Sequence, residues 1–195
     1  MRKKLRLDGY DYSKVGCYYV TICVKDKYEM LGRVVEDDVR NVVYVELNGI
    51  GLVVQNYLMH MHDCLECAVL NKYVIMPNHV HLLITLSDVV SADGLPQDAG
   101  LRATGRRAVL PRDAERPTVA WTASPTKAVI PRIVHGMKSV TTKKIGYSIW
   151  QRSYYDHIIR SKEEYWEKWH YIDTNPAKWR EDYFYIKRDN YVIPL

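Results

Sequence analysis

Hydrophobic and polar positions alternate along much of the first half of the chain, which is the pattern of half-buried strands. β-branched and aromatic residues fill these stretches, and turn residues such as Pro77-Asn78 separate them. The pair Asp37-Asp38 lies between two short runs and indicates a small hairpin. The predicted strands are residues 17–24, 31–36, 39–47, 65–76 and 79–86.

Apolar residues three and four positions apart predict helices elsewhere in the chain. Asn48 is a suitable cap for the first helix, although two glycines weaken its opening turn. Ser161 and Glu164 form a capping box for the last helix, which ends before Pro176 because proline disfavours helical geometry in the preceding residue. Helices are predicted at about residues 48–61, 132–145 and 161–175, and residues 148–160 are predicted to be extended.

The chain has 195 residues, a length typical of one domain. Residues 87–130 are rich in proline, alanine, aspartate and arginine and have little periodicity, which predicts a mobile insertion. Residues 177–195 form an aromatic and charged tail. We therefore expect a single domain over residues 1–195 that carries this insertion and this tail.

Charge and composition narrow the class of protein further. Lys and Arg number 28 against 23 Asp and Glu, and the resulting net charge of +5 allows a polyanionic partner without demanding one. No run of about 18 uncharged apolar residues predicts a membrane span. Four cysteines without a secretory signal are typical of reduced thiols, so we expect a cytoplasmic protein.

The strongest local signal for chemistry is the pair His79 and His81 in a predicted strand. Their side chains point to the same face, while Val80 and Leu82 point to the opposite face, where we expect a core. Two imidazoles on one strand face can converge on one metal ion. The bare pattern is also typical of two ordinary histidines on a half-exposed strand, because a metal site needs a further ligand from elsewhere.

A second cluster offers a different metal site. His60, His62, Cys64 and Cys67 are all residue types that bind zinc, and the Cys-x2-Cys spacing is one that zinc sites use. The cluster spans a predicted helix end and strand start, so its four groups need not converge. Reduced and partly buried thiols are the alternative interpretation.

The last predicted helix carries an isolated aromatic side chain. Tyr165, Trp169 and Ile172 recur at the spacing of a buried helical stripe, whereas Tyr171 falls off that stripe onto a polar face. Asn175 lies one helical turn after Tyr171. This arrangement suits a tyrosine nucleophile beside a metal-binding amide, and it is also compatible with a plain surface tyrosine.

Five motifs in order resemble the REP-associated tyrosine transposases, a group of single-tyrosine HUH nucleases in which HUH denotes His-hydrophobic-His. The motifs are RLDGYDYS at residues 6–13, YVTIC at 19–23, YVIMPNHVH at 73–81, WQRSYYDH at 150–157 and YIDTNP at 171–176. The resemblance covers nearly the whole chain except residues 87–130. It implies an α+β fold: a ferredoxin-like antiparallel sheet of the HUH nuclease type, with helices packed on one face.

The resemblance also implies the chemistry. His79 and His81 would bind Mg²⁺ or Mn²⁺ from a central strand, and Asn175 would supply a further polar ligand. Tyr171 would attack single-stranded DNA at or near a hairpin and form a covalent 5′-phosphotyrosine intermediate. The protein would thus be a metal-dependent DNA endonuclease and strand transferase. The insertion and the second histidine pair depart from the family pattern.

A DNA partner needs basic side chains near the site. An arm at the N-terminus, a cluster on the helix after the insertion and one arginine before a tyrosine pair can contact phosphates. These residues are Arg2, Lys3, Lys4, Arg6, Lys138, Lys143, Lys144 and Arg152. The expected partner is single-stranded DNA with a REP-like hairpin. We therefore expect the protein to associate with the nucleoid. Relatives include monomers and dimers that exchange the tyrosine helix, so both states stay open, including a homodimer.

Two other functions remain open at this point. A catalytically silent nucleic-acid-binding module could use the same sheet and its aromatic residues for base stacking. A structural zinc protein could form around the His60–Cys67 cluster.

Overall fold

The computed structural model describes residues 15–61, 65, 67–87 and 129–187. In chain order this part contains β1 (Gly16–Cys23), β2 (Gly32–Asp37), β3 (Val42–Leu47), α1 (Gly49–Met59), β4 (Ala68–Ile75), β5 (His79–Leu86), α2 (Val129–Ile145), β6 (Tyr155–Ile159) and α3 (Lys162–Thr174). Two short 3-10 helices, Lys25–Lys27 and Trp179–Glu181, follow β1 and α3.

Four strands form one antiparallel sheet in the order β4-β5-β1-β6. The strands β2 and β3 form a separate antiparallel hairpin, as the Asp37-Asp38 turn predicted. The helix α1 lies in the connection between β1 and β4, and α2 lies in the connection between β5 and β6. The α+β fold and the ferredoxin-like sheet predicted from the sequence are therefore confirmed.

The two faces of the sheet carry separate clusters of buried residues. Side chains such as Val20, Ile22 and Leu82 lie in the main core, where α1 and α2 also contribute. On the other face, Tyr19 and Leu83 pack against Ile172 of α3 and form a second, smaller core. The sequence predicted helices on one face of the sheet, and α1 and α2 lie on that face. The helix α3 lies on the opposite face, which is the face of His79 and His81.

Local sequence signals explain where the helices begin and end. The Asn48 side chain accepts hydrogen bonds from the backbone N–H groups of Ile50 and Gly51, which confirms the predicted cap. The helix α2 begins at Val129, before the predicted residue 132, because proline at position 131 is tolerated in a first turn whose N–H groups have no helical partner. It ends before Gly146, whose φ of +88° favours glycine.

Two other predictions differ from the structure in extent. Of the predicted extended segment 148–160, only residues 155–159 form a strand, and Trp150 makes an isolated bridge with Val24. Residues 88–128 of the expected insertion and 188–195 of the expected tail lie outside the described residues. In the described part, no helix is long and apolar enough to cross a membrane.

Candidate functional site

The strand β5 places His79 and His81 side by side on the face that α3 covers. Both side chains are buried, and their ring centroids are 4.5 Å apart. Across the sheet, Cys23 and Thr21 of β1 are their respective partners in the register. The prediction that both imidazoles share one face, opposite the main core, is confirmed.

Each imidazole uses its Nδ1 atom in a hydrogen bond to a neighbouring side chain. The Nδ1 atom of His79 lies 2.8 Å from Oδ1 of Asn78. The Nδ1 atom of His81 lies 2.8 Å from the hydroxyl of Tyr19 and 2.9 Å from that of Thr21. Within the described part of the chain, the buried Nε2 atoms of both histidines have no hydrogen-bond partner. Such atoms are suited to binding a metal ion.

Burial keeps the two imidazoles neutral. It lowers the pKa of His79 to about 3, and the nearby positive charge of Lys27 acts in the same direction. Burial also lowers the pKa of His81 well below its ordinary value. The neighbouring His79 lowers this pKa further, whereas the negative charge of Asp182 raises it. Neutral imidazole is the form that coordinates metals.

The helix α3 brings Tyr171 to this pair of histidines. The Tyr171 ring lies 5.3 Å from the His81 ring and 6.4 Å from the Tyr19 ring, measured between centroids. Its hydroxyl donates a hydrogen bond of 3.1 Å to Oδ2 of Asp182. Burial and the negative charge of Asp182 raise the pKa of Tyr171 to about 12. Tyr171, His79 and His81 therefore meet within one chain.

Asp182 is a residue of the site that the sequence did not predict. Its Oδ2 atom also accepts a hydrogen bond of 2.8 Å from Nδ2 of Asn175, and its Oδ1 atom accepts one of 2.7 Å from the Phe184 N–H. One ligand atom each from His79, His81 and Asp182 lie within 4.8 Å of one another. Asp182 is thus both a partner of the tyrosine hydroxyl and a possible metal ligand.

Asn175, the predicted amide ligand, lies beside Asp182. Its side chain is buried, and its Oδ1 atom has no hydrogen-bond partner among the described residues. Two imidazole nitrogens, an amide oxygen and a carboxylate are a mixed nitrogen and oxygen donor set that suits a divalent metal ion. The unpartnered polar atoms, all buried, therefore fit the metal that the resemblance implies.

The predicted DNA-binding residues fall into three groups. Lys143 and Lys144 are exposed in the last turn of α2, and Arg152 is exposed in the segment before β6. Lys138 instead donates to the carbonyl oxygens of residues 151, 152 and 153 at 2.7, 3.5 and 3.2 Å, so its ammonium group holds that segment in place. Arg2, Lys3, Lys4 and Arg6 lie outside the described residues.

The second histidine cluster is described only in part. The Nδ1 atom of His60 lies 2.8 Å from the Asn56 carbonyl oxygen near the end of α1, and Cys67 is a free thiol. His62 and Cys64 lie outside the described residues. The described cysteines Cys17, Cys23 and Cys67 form no disulfide with one another.

Comparisons with known proteins place the chain in context. No protein-family profile matches it. An uncharacterised protein from Haemophilus influenzae is 30% identical over 187 residues, which cover 95% of this chain and 93% of that protein. The structure of a REP-associated tyrosine transposase bound to a REP hairpin aligns with a TM-score of 0.51 and 17% identity, over 91% of this chain and 74% of the transposase.

A protein from Deinococcus radiodurans that is described as a transposase gives a TM-score of 0.36 at 17% identity, over 89% of this chain and 97% of that protein. The sequence match to the Haemophilus protein extends over nearly all of both chains. The chain belongs to the same family as that uncharacterised protein, and its fold is that of the REP-associated tyrosine transposase.

Proposed function

We propose that this protein nicks and rejoins single-stranded DNA through a covalent 5′-phosphotyrosine on Tyr171. The observation that carries the proposal is the position of Asp182. Its carboxylate accepts the hydrogen bond of the Tyr171 hydroxyl and lies within 4.8 Å of the ligand atoms of both histidines. The proposed nucleophile and the two proposed metal ligands therefore lie close together, which supports this function, on a fold shared with a tyrosine transposase.

The reaction is a transfer of a phosphodiester from one oxygen to another. The Tyr171 hydroxyl gives its proton to the Asp182 carboxylate, which accepts its hydrogen bond, as its oxygen attacks the phosphorus. The bond from phosphorus to the 3′ oxygen breaks, and that oxygen takes up a proton and leaves as a 3′ hydroxyl. The 5′ end of the DNA is then joined to Tyr171. A 3′ hydroxyl that attacks this phosphotyrosine reverses the step and releases the tyrosine. The phosphodiester bond energy is conserved throughout, so rejoining needs no other source of energy.

A divalent ion would be held by Nε2 of His79 and Nε2 of His81, with Asn175 or Asp182 as the further ligand. When bound, it supplies positive charge to the anionic phosphate oxygens, and neutral imidazoles leave that charge largely intact. Mn²⁺ should bind more tightly than Mg²⁺ because imidazole suits it better. Mn²⁺ affinity in Asn175→Ala and Asp182→Ala ranks the two candidate ligands. We expect the larger loss where the ligand itself is removed, because Asn175→Ala also deletes a hydrogen bond that positions Asp182.

The substrate we propose is single-stranded DNA beside a hairpin. The transposase with the same fold is bound to a REP hairpin in its structure. The exposed Lys143, Lys144 and Arg152 can contact phosphates here, and the arm Arg2, Lys3, Lys4 and Arg6 would add four more positive charges. Because Tyr171 meets His79 and His81 of its own chain, we propose that a monomer suffices. A chromosomal substrate would place the enzyme at the nucleoid, in the cytoplasm.

Capture of a covalent adduct tests the proposal. The protein is incubated with a pool of labelled single-stranded hairpins and Mn²⁺, and adducts are separated under denaturing conditions. We expect an adduct with the parent protein, none with Tyr171→Phe, and an undiminished one with Tyr155→Phe, which removes an exposed hydroxyl from β6. An adduct that persists in Tyr171→Phe would contradict the assignment of the nucleophile.

The histidines give an independent test. We expect His79→Ala or His81→Ala to abolish cleavage while hairpin affinity stays within about tenfold, because affinity comes from many dispersed phosphate contacts. Asn175→Ala should cause a milder loss, since water can replace an amide ligand. Full cleavage by His79→Ala at saturating Mn²⁺ would refute the metal site. Hairpin binding without any cleavage by the parent protein would instead favour a silent nucleic-acid-binding module.

A further inference from the structure

We infer that Asn78 is a positioning residue that fixes the tautomer of His79 and so presents the Nε2 lone pair to the metal; the inference rests on the proposed metal site. Asn78 directly precedes His79 and is buried, with 1% of the residue's surface exposed. Asn78 is not the proposed nucleophile and is not one of the proposed metal ligands. The atoms around its side chain differ in whether they can donate a hydrogen bond or only accept one.

The orientation of the Asn78 amide is determined by two carbonyl groups. Its Nδ2 atom donates to the backbone oxygen of Lys27 at 3.1 Å and to that of Phe184 at 2.9 Å. A carbonyl oxygen only accepts, so the NH₂ group must face these two atoms, and both of its hydrogens are used. The Oδ1 atom of Asn78 is left facing His79.

The tautomer of His79 follows from that orientation. The amide oxygen only accepts, so the Nδ1 atom of His79, 2.8 Å away, must carry the hydrogen. In a neutral imidazole the other nitrogen, Nε2, then has the lone pair. That atom is buried and has no hydrogen-bond partner among the described residues. His79 also belongs to the cluster in which it, His81 and Asp182 each offer one ligand atom. Hydrogen bonds of this kind orient metal-binding histidines in proteins.

The backbone around Asn78 is held as firmly as its side chain. The Val24 N–H donates to the Asn78 carbonyl at 2.8 Å. The accepting carbonyl of Lys27 lies in a turn where Asp26 and Lys27 both have φ near +55°, a left-handed conformation that non-glycine residues adopt rarely. Lys27 also donates from Nζ to the Tyr183 carbonyl at 2.9 Å, which ties the turn to the segment that carries Asp182.

His81 is different in this respect. Its Nδ1 atom faces the hydroxyls of Tyr19 and Thr21, and a hydroxyl can either donate or accept. Those partners therefore allow both tautomers of His81. Of the two histidines in the proposed metal site, His79 therefore has its tautomer determined by a hydrogen-bond partner, and that partner is Asn78.

NMR of histidine-labelled protein tests the inference without DNA and without metal. Ring nitrogen chemical shifts distinguish the two tautomers, and we expect the Nδ1–H form for His79 in the parent protein. We expect Asn78→Ala to lose that preference and Asn71→Ala to leave it unchanged. Asn71 is a matched control because it is an asparagine in β4 whose Oδ1 atom accepts a hydrogen bond from the Thr85 hydroxyl and not from a histidine.

Mn²⁺ affinity provides the second measurement. We expect Asn78→Ala to weaken Mn²⁺ binding by about 10- to 100-fold, the usual effect of removing the partner of a metal-binding histidine. An Nε2–H form of His79 in the parent protein would overturn the inference, and that measurement needs no variant to fold. An unchanged tautomer in folded Asn78→Ala would overturn it too. A protein that shows the expected tautomer but never cleaves DNA would count against the proposed function alone.

Discussion

Truncation of Ile172 should release the helix that carries Tyr171 without unfolding the rest of the protein. The helix α3 is attached to its face of the sheet by a small core in which Tyr19, Leu83 and Ile172 are the buried members. The main core on the other face is separate and much larger. Ile172 lies next to Tyr171 in the chain, so opening of α3 also moves the nucleophile away from His81.

The magnitude follows from the atoms removed. Ile172 is 1% exposed, and Ile172→Ala deletes three buried carbons, at about 0.8 kcal/mol for each. The cavity left behind adds to this, so we expect a loss of about 3 kcal/mol in the free energy that docks α3. That free energy corresponds to about a hundredfold increase in the equilibrium constant for opening the helix.

Native-state hydrogen exchange measures this opening directly. We expect the amides of residues 162–174 to exchange about a hundredfold faster in Ile172→Ala, while those of β1 and β5 change less. Ile133→Ala is the matched control, because Ile133 is fully buried in the main core on the other face. It should lower global stability without a selective effect on α3. Equal acceleration of α3 in both variants, or none in Ile172→Ala, would refute the reasoning.

Two further predictions concern the neighbouring helices. Gly51→Ala should lower the free energy of unfolding by about 1–3 kcal/mol, because the new Cβ would lie 2.0 Å from the Leu31 carbonyl oxygen. Gly49→Ala is the control: its Cβ meets nothing within 4 Å, so it should raise the free energy of unfolding by about 0.4–1 kcal/mol. Urea unfolding measures both changes. Replacing Lys143 and Lys144 with alanine should reduce the slope of log affinity against log salt by up to about 0.9 per residue for a duplex stem. Lys138→Ala should leave that slope unchanged, since its ammonium group already binds three carbonyls, and an equal fall in slope would show that it reaches a phosphate.

Much of the sheet and the position of the histidines could be predicted because a strand has a strict period of two. In β5, Val80, Leu82 and Ile84 are apolar and buried in the main core, so His79 and His81 had to lie on the other face. The stripe of α3 was equally clear, since Ile172 packs on the sheet while Tyr171 lies off the stripe, 39% exposed. Periodicity assigns faces, and that was sufficient for these residues.

Asp182 could not be predicted because its place depends on how the chain folds back after α3. It lies 11 residues beyond Tyr171 and past Pro176, where neither the helical nor the strand period applies. Buried Trp179 lies in the short 3-10 helix between them, and its ring is 6.0 Å from that of His79. A tryptophan in a charged tail was the one available signal that this segment packs on the fold.

The capping box of α3 also differs from the sequence prediction because of a tertiary contact. Ser161 accepts from the Glu164 N–H at 3.1 Å, as predicted. The Glu164 carboxylate, however, accepts from the Arg160 N–H at 2.8 Å and contacts His157 in place of the usual return bond to Ser161. The strand β6 ends just before the helix and brings His157 within reach, which is a tertiary contact that the local pattern does not contain.

Peptide mapping of the covalent adduct tests the central claim most directly. The adduct formed with a single-stranded hairpin and Mn²⁺ is digested with protease and nuclease, and mass spectrometry locates the residual nucleotide. The account predicts a phosphodiester to Tyr171, joined to the 5′ end of the DNA. A nucleotide on Tyr155 or any other residue, or cleavage that leaves no adduct at all, would contradict it.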